Sequence, residues 1–301
     1  MKTLFPYSER LPVREPFRLD LTADALRRLA TNTVDVVGDD GAYYRAFETD
    51  TGVVAVRVTQ PQRSVLCVER SGGPGEGVLA SVAQMLGTEV DLRSWMRRAA
   101  SVPWLAPIAR ALRGVKPPRY PSLWEACVHA IVFQQISIHA AAAIMRRVIG
   151  AIGTPVRVGG VELVPFPSAA ALLRADEAQL RSAGLSTNKV IHLRAVARAL
   201  EAGEVTSQEI EALSTPAAAE RLERLRGIGP WSASVVLLRG FGRLDTFPMR
   251  DSGVARTAAL LSGDPDVNLN EVLERLGRTR GMLYYHLLLG RLRNLTPGRK
   301  D

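Results

Sequence analysis

Apolar and polar positions along this 301-residue chain change period once. Up to about residue 90 they alternate in short runs. Phe17-Arg18-Leu19-Asp20-Leu21, Tyr43 to Phe47, Val53 to Val58 and Ser64 to Val68 read as strands. Asp39-Asp40-Gly41 and Asp50-Thr51-Gly52 supply turn chemistry between them. Thr22 is placed to cap a helix through Leu26 and Leu29, and Val78 to Leu86 reads as a helix packed on an antiparallel sheet. From about Leu92 onward the apolar residues recur at helical spacing, after punctuation by Pro103, Pro107, Pro117, Pro118 and Pro121. Trp124 to Ile149 reads as one helical region whose apolar run is interrupted mid-helix by Gln134 and Gln135. Val156 to Pro167 reads as an extended or looped excursion. Helices are then expected over about 168–174, 176–183, 187–202, 216–226, 230–240, 251–262, 270–277 and 281–293. The fold class is α+β, an N-terminal antiparallel sheet followed by an all-helical part.

The helical part contains Leu225-Arg226-Gly227-Ile228-Gly229-Pro230-Trp231. Upstream, Thr215-Pro216 reads as an N-cap followed by proline at the first helical position. Leu222, Leu225 and Ile228 recur at helical spacing, and Gly227 and Gly229 let the chain reverse within two or three residues. Pro230 suits the start of the next helix, which carries Ala233, Val236 and Leu237 on one face. A helix-hairpin-helix offers backbone N–H groups at a helix N-terminus to a phosphate, although an ordinary αα-hairpin shares the Gly-x-Gly grammar. Asp251 shifts that balance. It ends a loop that starts at Leu244 and is followed at once by the periodic Val254, Ala255, Ala258 and Leu261. It therefore falls at or near a helix N-terminus, whose positive dipole end favours the ionised carboxylate. A charged carboxylate beside a phosphate-binding turn suits nucleic-acid chemistry that develops positive charge.

The net charge of +9 favours a polyanionic partner. Arg93, Arg97, Arg98, Arg110, Arg113, Lys116 and Arg119 lie in one stretch without Asp or Glu, which is expected to face phosphates; a solvated linker would look the same. No apolar run is long enough to span a bilayer, and the apolar start is too short for a secretory signal, so a cytoplasmic, nucleoid-associated monomer is expected. Cys67 and Cys127 are too few for a disulfide framework or a zinc site. The four histidines show no metal-ligand spacing, and His129 and His139 read as helix-packing residues.

Leu225 to Trp231, the Phe247-Pro248 pair and Asp251 together resemble the hairpin, Gly/Pro-rich loop and aspartate of the DNA base-excision glycosylase superfamily. Ala130 to Ser137 resembles the segment that lines the base pocket and probes the duplex in the 3-methyladenine-DNA glycosylase II family. Leu180 to Leu200, with Gly184, Leu185 and Lys189 between two helical patterns, resembles that family's next helix pair. The similarity covers roughly residues 105 to 290; the first hundred match only in length and general pattern. The resemblance implies a structural sheet domain over 1–92, a helical domain with the hairpin over 123–243, and a second lobe from 93–122 plus 244–301 that carries the aspartate. It makes Asp251 catalytic, Trp231 and Gln134 base-binding, and Gln135, Gly227, Ile228, Gly229 and Ser232 DNA-binding. Gln135 takes the place of the residue wedged into the gap left by the flipped base. The implied partner is double-stranded DNA with a damaged base. No cofactor is required, and a monovalent cation on the hairpin carbonyls stays open.

Trp231 stands where bifunctional relatives carry a Schiff-base lysine, which implies a monofunctional hydrolase of alkylated bases without lyase activity. Lys189 is then expected to be a surface or phosphate contact. No cysteine follows Cys127, so the iron–sulfur cluster of some relatives is not expected. Two tyrosine positions of the family pocket correspond to Val235 and Ser252, and a tryptophan position to Arg280; Tyr284 and Tyr285 are candidates to compensate. The pocket is thus less aromatic than the family pattern. Trp231 is expected to favour cationic purines by stacking or cation–π contact. Two alternatives remain: a non-catalytic hairpin protein that binds damaged or bent DNA, and a glycosylase for hypoxanthine or other neutral lesions.

Overall fold

The alternating part of the chain forms one five-stranded antiparallel sheet in the order β1-β5-β4-β3-β2. In the computed structural model, which describes residues 4–72 and 77–295, the strands are β1 (Tyr7–Pro12), β2 (Val36–Val37), β3 (Tyr43–Thr49), β4 (Gly52–Gln62) and β5 (Val65–Arg70). The extreme ends of the expected 1–92 and 244–301 units, and the side chain of Ser252, lie outside the described residues. β3, β4 and β5 stand where alternation placed them, and Asp50-Thr51 joins the β3–β4 hairpin after the Thr49–Gly52 pair. The helix α2 (Val78–Leu86) also matches its expected span.

Phe17 to Leu21 is not a strand. Leu19–Arg27 is helix α1, because Leu19, Ala23 and Leu26 share a helical face that packs under the sheet. Thr22 lies inside this helix, buried, and its hydroxyl donates to Arg18 O at 2.8 Å instead of capping. The missing edge strand is β1, whose mostly exposed side chains carry no alternation; its backbone pairing with β5 defines it.

The helical part comprises α3 (Arg93–Ala100), α4 (Leu105–Ala111), α5 (Leu123–Val132), α6 (Ile138–Ile152), a β6–β7 hairpin (Val156–Val158, Val161–Leu163), α7 (Ala169–Arg174), α8 (Glu177–Ser182), α9 (Thr187–Glu201), α10 (Ser207–Ala212), α11 (Thr215–Glu223), α12 (Pro230–Phe241), α13 (Ser252–Ser262), α14 (Leu269–Leu276) and α15 (Gly281–Leu292). The expected long helix over 124–149 is two helices. Ser137 is the reason: its hydroxyl accepts from the Ala140 N–H and restarts the helix as an N-cap. Gln134 and Gln135 are therefore in a turn, not mid-helix, and Gln135 has φ 59°. The N-cap of α11 is Ser214, with Thr215 and Pro216 as its first helical residues. Thr215 instead donates its hydroxyl to Asp245 Oδ1 at 3.0 Å.

Two large cores divide the molecule. Val56, Val58, Leu66 and Val68 of the sheet share one core with α2, α5, α6, α9 and most of α12. α3, α4, α13, α14 and α15 build the other, joined by Leu238 of α12 and Phe247. α12 thus walls both cores, and the hairpin at its N-terminus opens at their seam. The sheet is also keyed to α5 by a buried ion network. Arg45 Nη1 binds Asp35 Oδ1 at 2.7 Å and Arg45 Nη2 binds Glu125 Oε2 at 2.5 Å. Burial lifts the Glu125 carboxyl to about 7, against the opposing pull of Arg45.

Candidate active site

Asp251 is the N-cap of α13. Its Oδ1 accepts from the Gly253 N–H at 2.9 Å and the Val254 N–H at 3.1 Å. That pattern follows from a short acceptor side chain placed before a helix with unsatisfied first-turn donors. The other oxygen, Oδ2, accepts the indole N–H of Trp231 at 3.1 Å. Three donors thus fix the carboxylate, and the indole plane is pinned by the same contact. Both residues are half-buried, so a ligand can reach them.

The hairpin presents Trp231 from α12. Gly227 has φ 92°, a region that favours glycine, and an added Cβ would lie 2.4 Å from His192 Cγ on α9. Gly229 is the N-cap of α12 in extended backbone, with open space where a Cβ would stand. Ile228 is buried in the first core. Ser232 is buried too, and its hydroxyl faces inward to Gln134. The first α12 hydrogen bond runs from Ala233 N to Gly229 O, so the Trp231 and Ser232 N–H groups have no acceptor within the helix. The Ile228 N–H already donates to Leu225 O at 3.0 Å.

Gln134 ties the α5–α6 turn to this hairpin. Its Nε2 donates to Gly227 O at 2.8 Å and to Ser232 Oγ at 2.7 Å. Gln135, beside it, is exposed at the apex of the turn, followed by an exposed Ile136. Lys189 is half-buried and turns its ammonium toward the protein. Its Nζ donates to Val132 O at 2.7 Å and to Gln134 O at 3.0 Å, which caps the C-terminal carbonyls of α5. Burial lowers its pKa. The spacing of Lys189 from the α5 terminus, across 57 residues, left no signal in the sequence.

Other expectations separate. Val235 is buried at 2 % exposure in the core one turn below Trp231. Arg280 is half-buried and donates from Nε to Gly277 O at 2.9 Å. Tyr285 is buried, its hydroxyl donating to Pro118 O at 3.1 Å, whereas Tyr284 is half-buried and accepts from Arg28 Nη2 at 3.2 Å. His129 packs as expected, stacked on Tyr120 at 4.1 Å. Of the basic stretch, Arg93, Arg97, Arg98, Arg110 and Arg113 are exposed, but Lys116 is buried and donates to Val90 O at 2.6 Å. Burial pushes Lys116 down to about 8, and its ammonium is not available to phosphate. Among hairpin carbonyls open to a monovalent cation, Gly227 O already accepts from Gln134.

Residues 128–280 match the family described as HhH-GPD superfamily base excision DNA repair protein. A Bacillus subtilis relative named DNA-3-methyladenine glycosylase is 25% identical over 186 residues, which are 62% of this chain and 61% of that protein. A Saccharomyces cerevisiae relative of the same name is 31% identical over 157 residues, 48% of this chain and 49% of its own. The chain thus spans about half to three fifths of the length of these curated relatives. A solved 3-methyladenine DNA-glycosylase from Archaeoglobus fulgidus superposes with TM-score 0.79 and 25% identity, over 96% of this chain and 99% of that one. No helix among the described residues is long and apolar enough to cross a membrane. The matched segment runs from the end of α5 through the hairpin and Asp251 to the start of α15, more than half of the chain, and the chain belongs to the HhH-GPD superfamily of base excision DNA repair proteins.

Proposed function

We propose that this chain is a monofunctional DNA glycosylase that hydrolyses the N-glycosidic bond of damaged, alkylated bases turned out of duplex DNA. The hydrogen bond from Trp231 Nε1 to Asp251 Oδ2 carries this reading, because it joins a stacking surface to a carboxylate in one rigid unit. A base on the indole face leaves its sugar beside Asp251. As the C1′–N bond breaks, its electron pair departs with the base and positive charge grows on the sugar. The fixed carboxylate stabilises that charge without reorganising, a preorganised electrostatic effect. Water then adds to C1′ and gives up a proton to Asp251. Gln135 is placed at the apex of its turn to enter the space left in the duplex, while hairpin N–H groups hold a phosphate.

A lyase step would require an amine at the sugar. Trp231 offers none, and Lys189 Nζ is engaged by two carbonyls, Val132 O and Gln134 O. The reaction needs no cofactor. A test uses duplex DNA treated with methylating agent and measures released bases under single-turnover conditions. Asp251→Asn should lower release by about a hundredfold or more while leaving affinity for damaged DNA equal or higher. Borohydride should trap no protein–DNA adduct. Undiminished release by Asp251→Asn would sink the mechanism; wild-type protein that binds damaged DNA but releases no base would establish the purely binding alternative.

A further inference from the structure

The chain between α12 and α13 is fixed along most of its length. Arg243 donates from Nη2 to Glu211 O and to Leu213 O, each at 2.9 Å. Leu244 O accepts from the Gly281 N–H at 2.8 Å, and Asp245 Oδ1 accepts from the Thr215 hydroxyl at 3.0 Å. Phe247 belongs to the second core, and Pro248, next in the chain, is buried as well. At the other end Asp251 is held by the Gly253 and Val254 N–H groups and by Trp231. Between these two fixed ends stand Met249 and Arg250, both exposed. The Met249 N–H donates to Phe247 O at 2.9 Å, a tight turn that suits the fixed φ of Pro248. Arg250 then takes φ 61°.

That backbone is unfavourable for a residue with a Cβ, and glycine would adopt it freely. Strained residues of this kind persist where their surroundings over-determine them, and they cluster at ligand clamps. Here the surroundings are the two anchored ends of the loop. The Arg250 side chain is not one of the anchors. Among the described residues its guanidinium meets no acceptor and no carboxylate, and Asp251, the next residue, directs both oxygens to other donors. Its Cα stands about 3.8 Å from that of Asp251, so the guanidinium is within one side chain's length of whatever reaches that carboxylate. A nucleotide whose sugar sits at Asp251 brings a phosphate on each side, and the carboxylate repels both. Trp231 is neutral and does not offset that repulsion. An arginine fork matches two phosphate oxygens and does offset it. Met249 exposes an apolar thioether beside the cation, a surface suited to a deoxyribose. An apolar and a cationic side chain in tandem fit a nucleotide strand better than a free anion.

We infer that Arg250 clamps one of the two phosphates that flank the damaged nucleotide, and so lets the Asp251 carboxylate approach the sugar. This rests on the glycosylase reading above, which seats the sugar at Asp251. The hairpin offers a phosphate the backbone N–H groups of Trp231 and Ser232, whereas Arg250 offers a side chain that no contact in the fold uses. The strained backbone adds a signature. Replacing Arg250 by glycine relieves strain and removes the clamp together, so stability and DNA affinity move in opposite directions.

The test uses duplexes that carry a tetrahydrofuran abasic analogue, which has no base to release, with a neutral methylphosphonate in place of each flanking phosphate in turn. Affinities of wild type, Arg250→Gly, Arg250→Ala and Arg250→Lys are compared at one salt concentration. In wild type one of the two replacements should weaken binding about tenfold. In Arg250→Gly and Arg250→Ala the same replacement should change nothing, and both variants should bind the unmodified analogue duplex about tenfold more weakly than wild type does. Arg250→Lys, which keeps the charge and loses the fork, should keep part of the sensitivity. The melting temperature of Arg250→Gly should equal or exceed that of wild type. Equal methylphosphonate effects in wild type and in both neutral variants, or no effect at either phosphate in wild type, overturn the clamp. Weakened binding in Arg250→Gly with wild-type behaviour in Arg250→Ala assigns the change to backbone freedom and overturns it too. Base release from methylated duplex is measured alongside. If wild type releases no base, the glycosylase reading falls, and the phosphate comparison still decides on Arg250.

Discussion

Two tight turns meet at the proposed site, and they are built by opposite means. The hairpin at Gly227 to Gly229 reverses because glycine tolerates φ 92° and because no other residue fits above His192. The turn at Phe133 to Ser137 reverses through a glutamine at φ 59°, which has no such licence. It is held from outside: Lys189 grips Val132 O and Gln134 O, and the Gln134 amide is anchored to Gly227 O and Ser232 Oγ. The first turn is a local property of its own residues. The second exists only when α9 and α12 are in place. The hairpin can therefore be recognised from sequence, whereas the glutamine turn reads there only as a polar interruption within one helix.

That contrast can be broken most severely at the hairpin. Gly227→Ala adds both backbone strain and a collision with His192, and should cost about 3 kcal/mol of stability. Adding His192→Gly, which removes the Cβ at 2.5 Å as well as the ring, should restore the steric part only, leaving about 1 kcal/mol for the positive φ beyond the cost of His192→Gly alone. Denaturant titration of the single and double variants checks this; full recovery in the double would mean that φ is not the constraint.

The externally held turn should fail more gently. Lys189→Met removes two charge-assisted hydrogen bonds and should cost about 2 kcal/mol of stability. Because Gln134 and Gln135 then lose their fixed position, single-turnover excision should fall about tenfold, more than affinity for undamaged duplex does. Equal losses in excision and in undamaged-duplex affinity would show that Lys189 serves the fold alone.

The smallest effect should come from charge outside both turns. Arg110 and Arg113 are exposed, whereas Lys116 is buried on Val90 O. Neutralising Arg110 and Arg113 together should reduce the log–log salt slope of DNA binding by up to about 1.8, or about 0.9 for each phosphate that an arginine had neutralised. Lys116→Met should leave the slope unchanged. An unaltered slope in the double arginine variant would confine phosphate binding to the two turns and Arg250 and identify the basic stretch as solvated surface.

Much of the fold is legible because its signals are local. β3, β4, β5 and α2 follow apolar periodicity, and α12 and α13 begin where Pro230 and Asp251 predict. The apolar repeat that follows Asp251 puts it at a helix N-terminus, and the structure adds the two backbone donors that make it a cap. β1 gives no such signal, because an exposed edge strand is defined by backbone pairing, which leaves no alternation to read. The exchange of a strand at 17–21 for α1 shows the ambiguity of five residues, too few to separate a period of 2 from one of 3.6.

The sequence by itself determined most of the elements, the hairpin and the presence of an aromatic ring and a carboxylate twenty residues apart, because backbone freedom, capping and periodicity act over a few neighbouring residues. Only the tertiary structure decided that Trp231 donates to Asp251, that Lys189 points at α5 and not at solvent, and that Arg28 crosses to Phe133 and Tyr284. Those contacts join residues between 20 and 256 positions apart. Each depends on a side chain finding a partner after its element has packed. Burial enforces such encounters, because a buried cation must find acceptors.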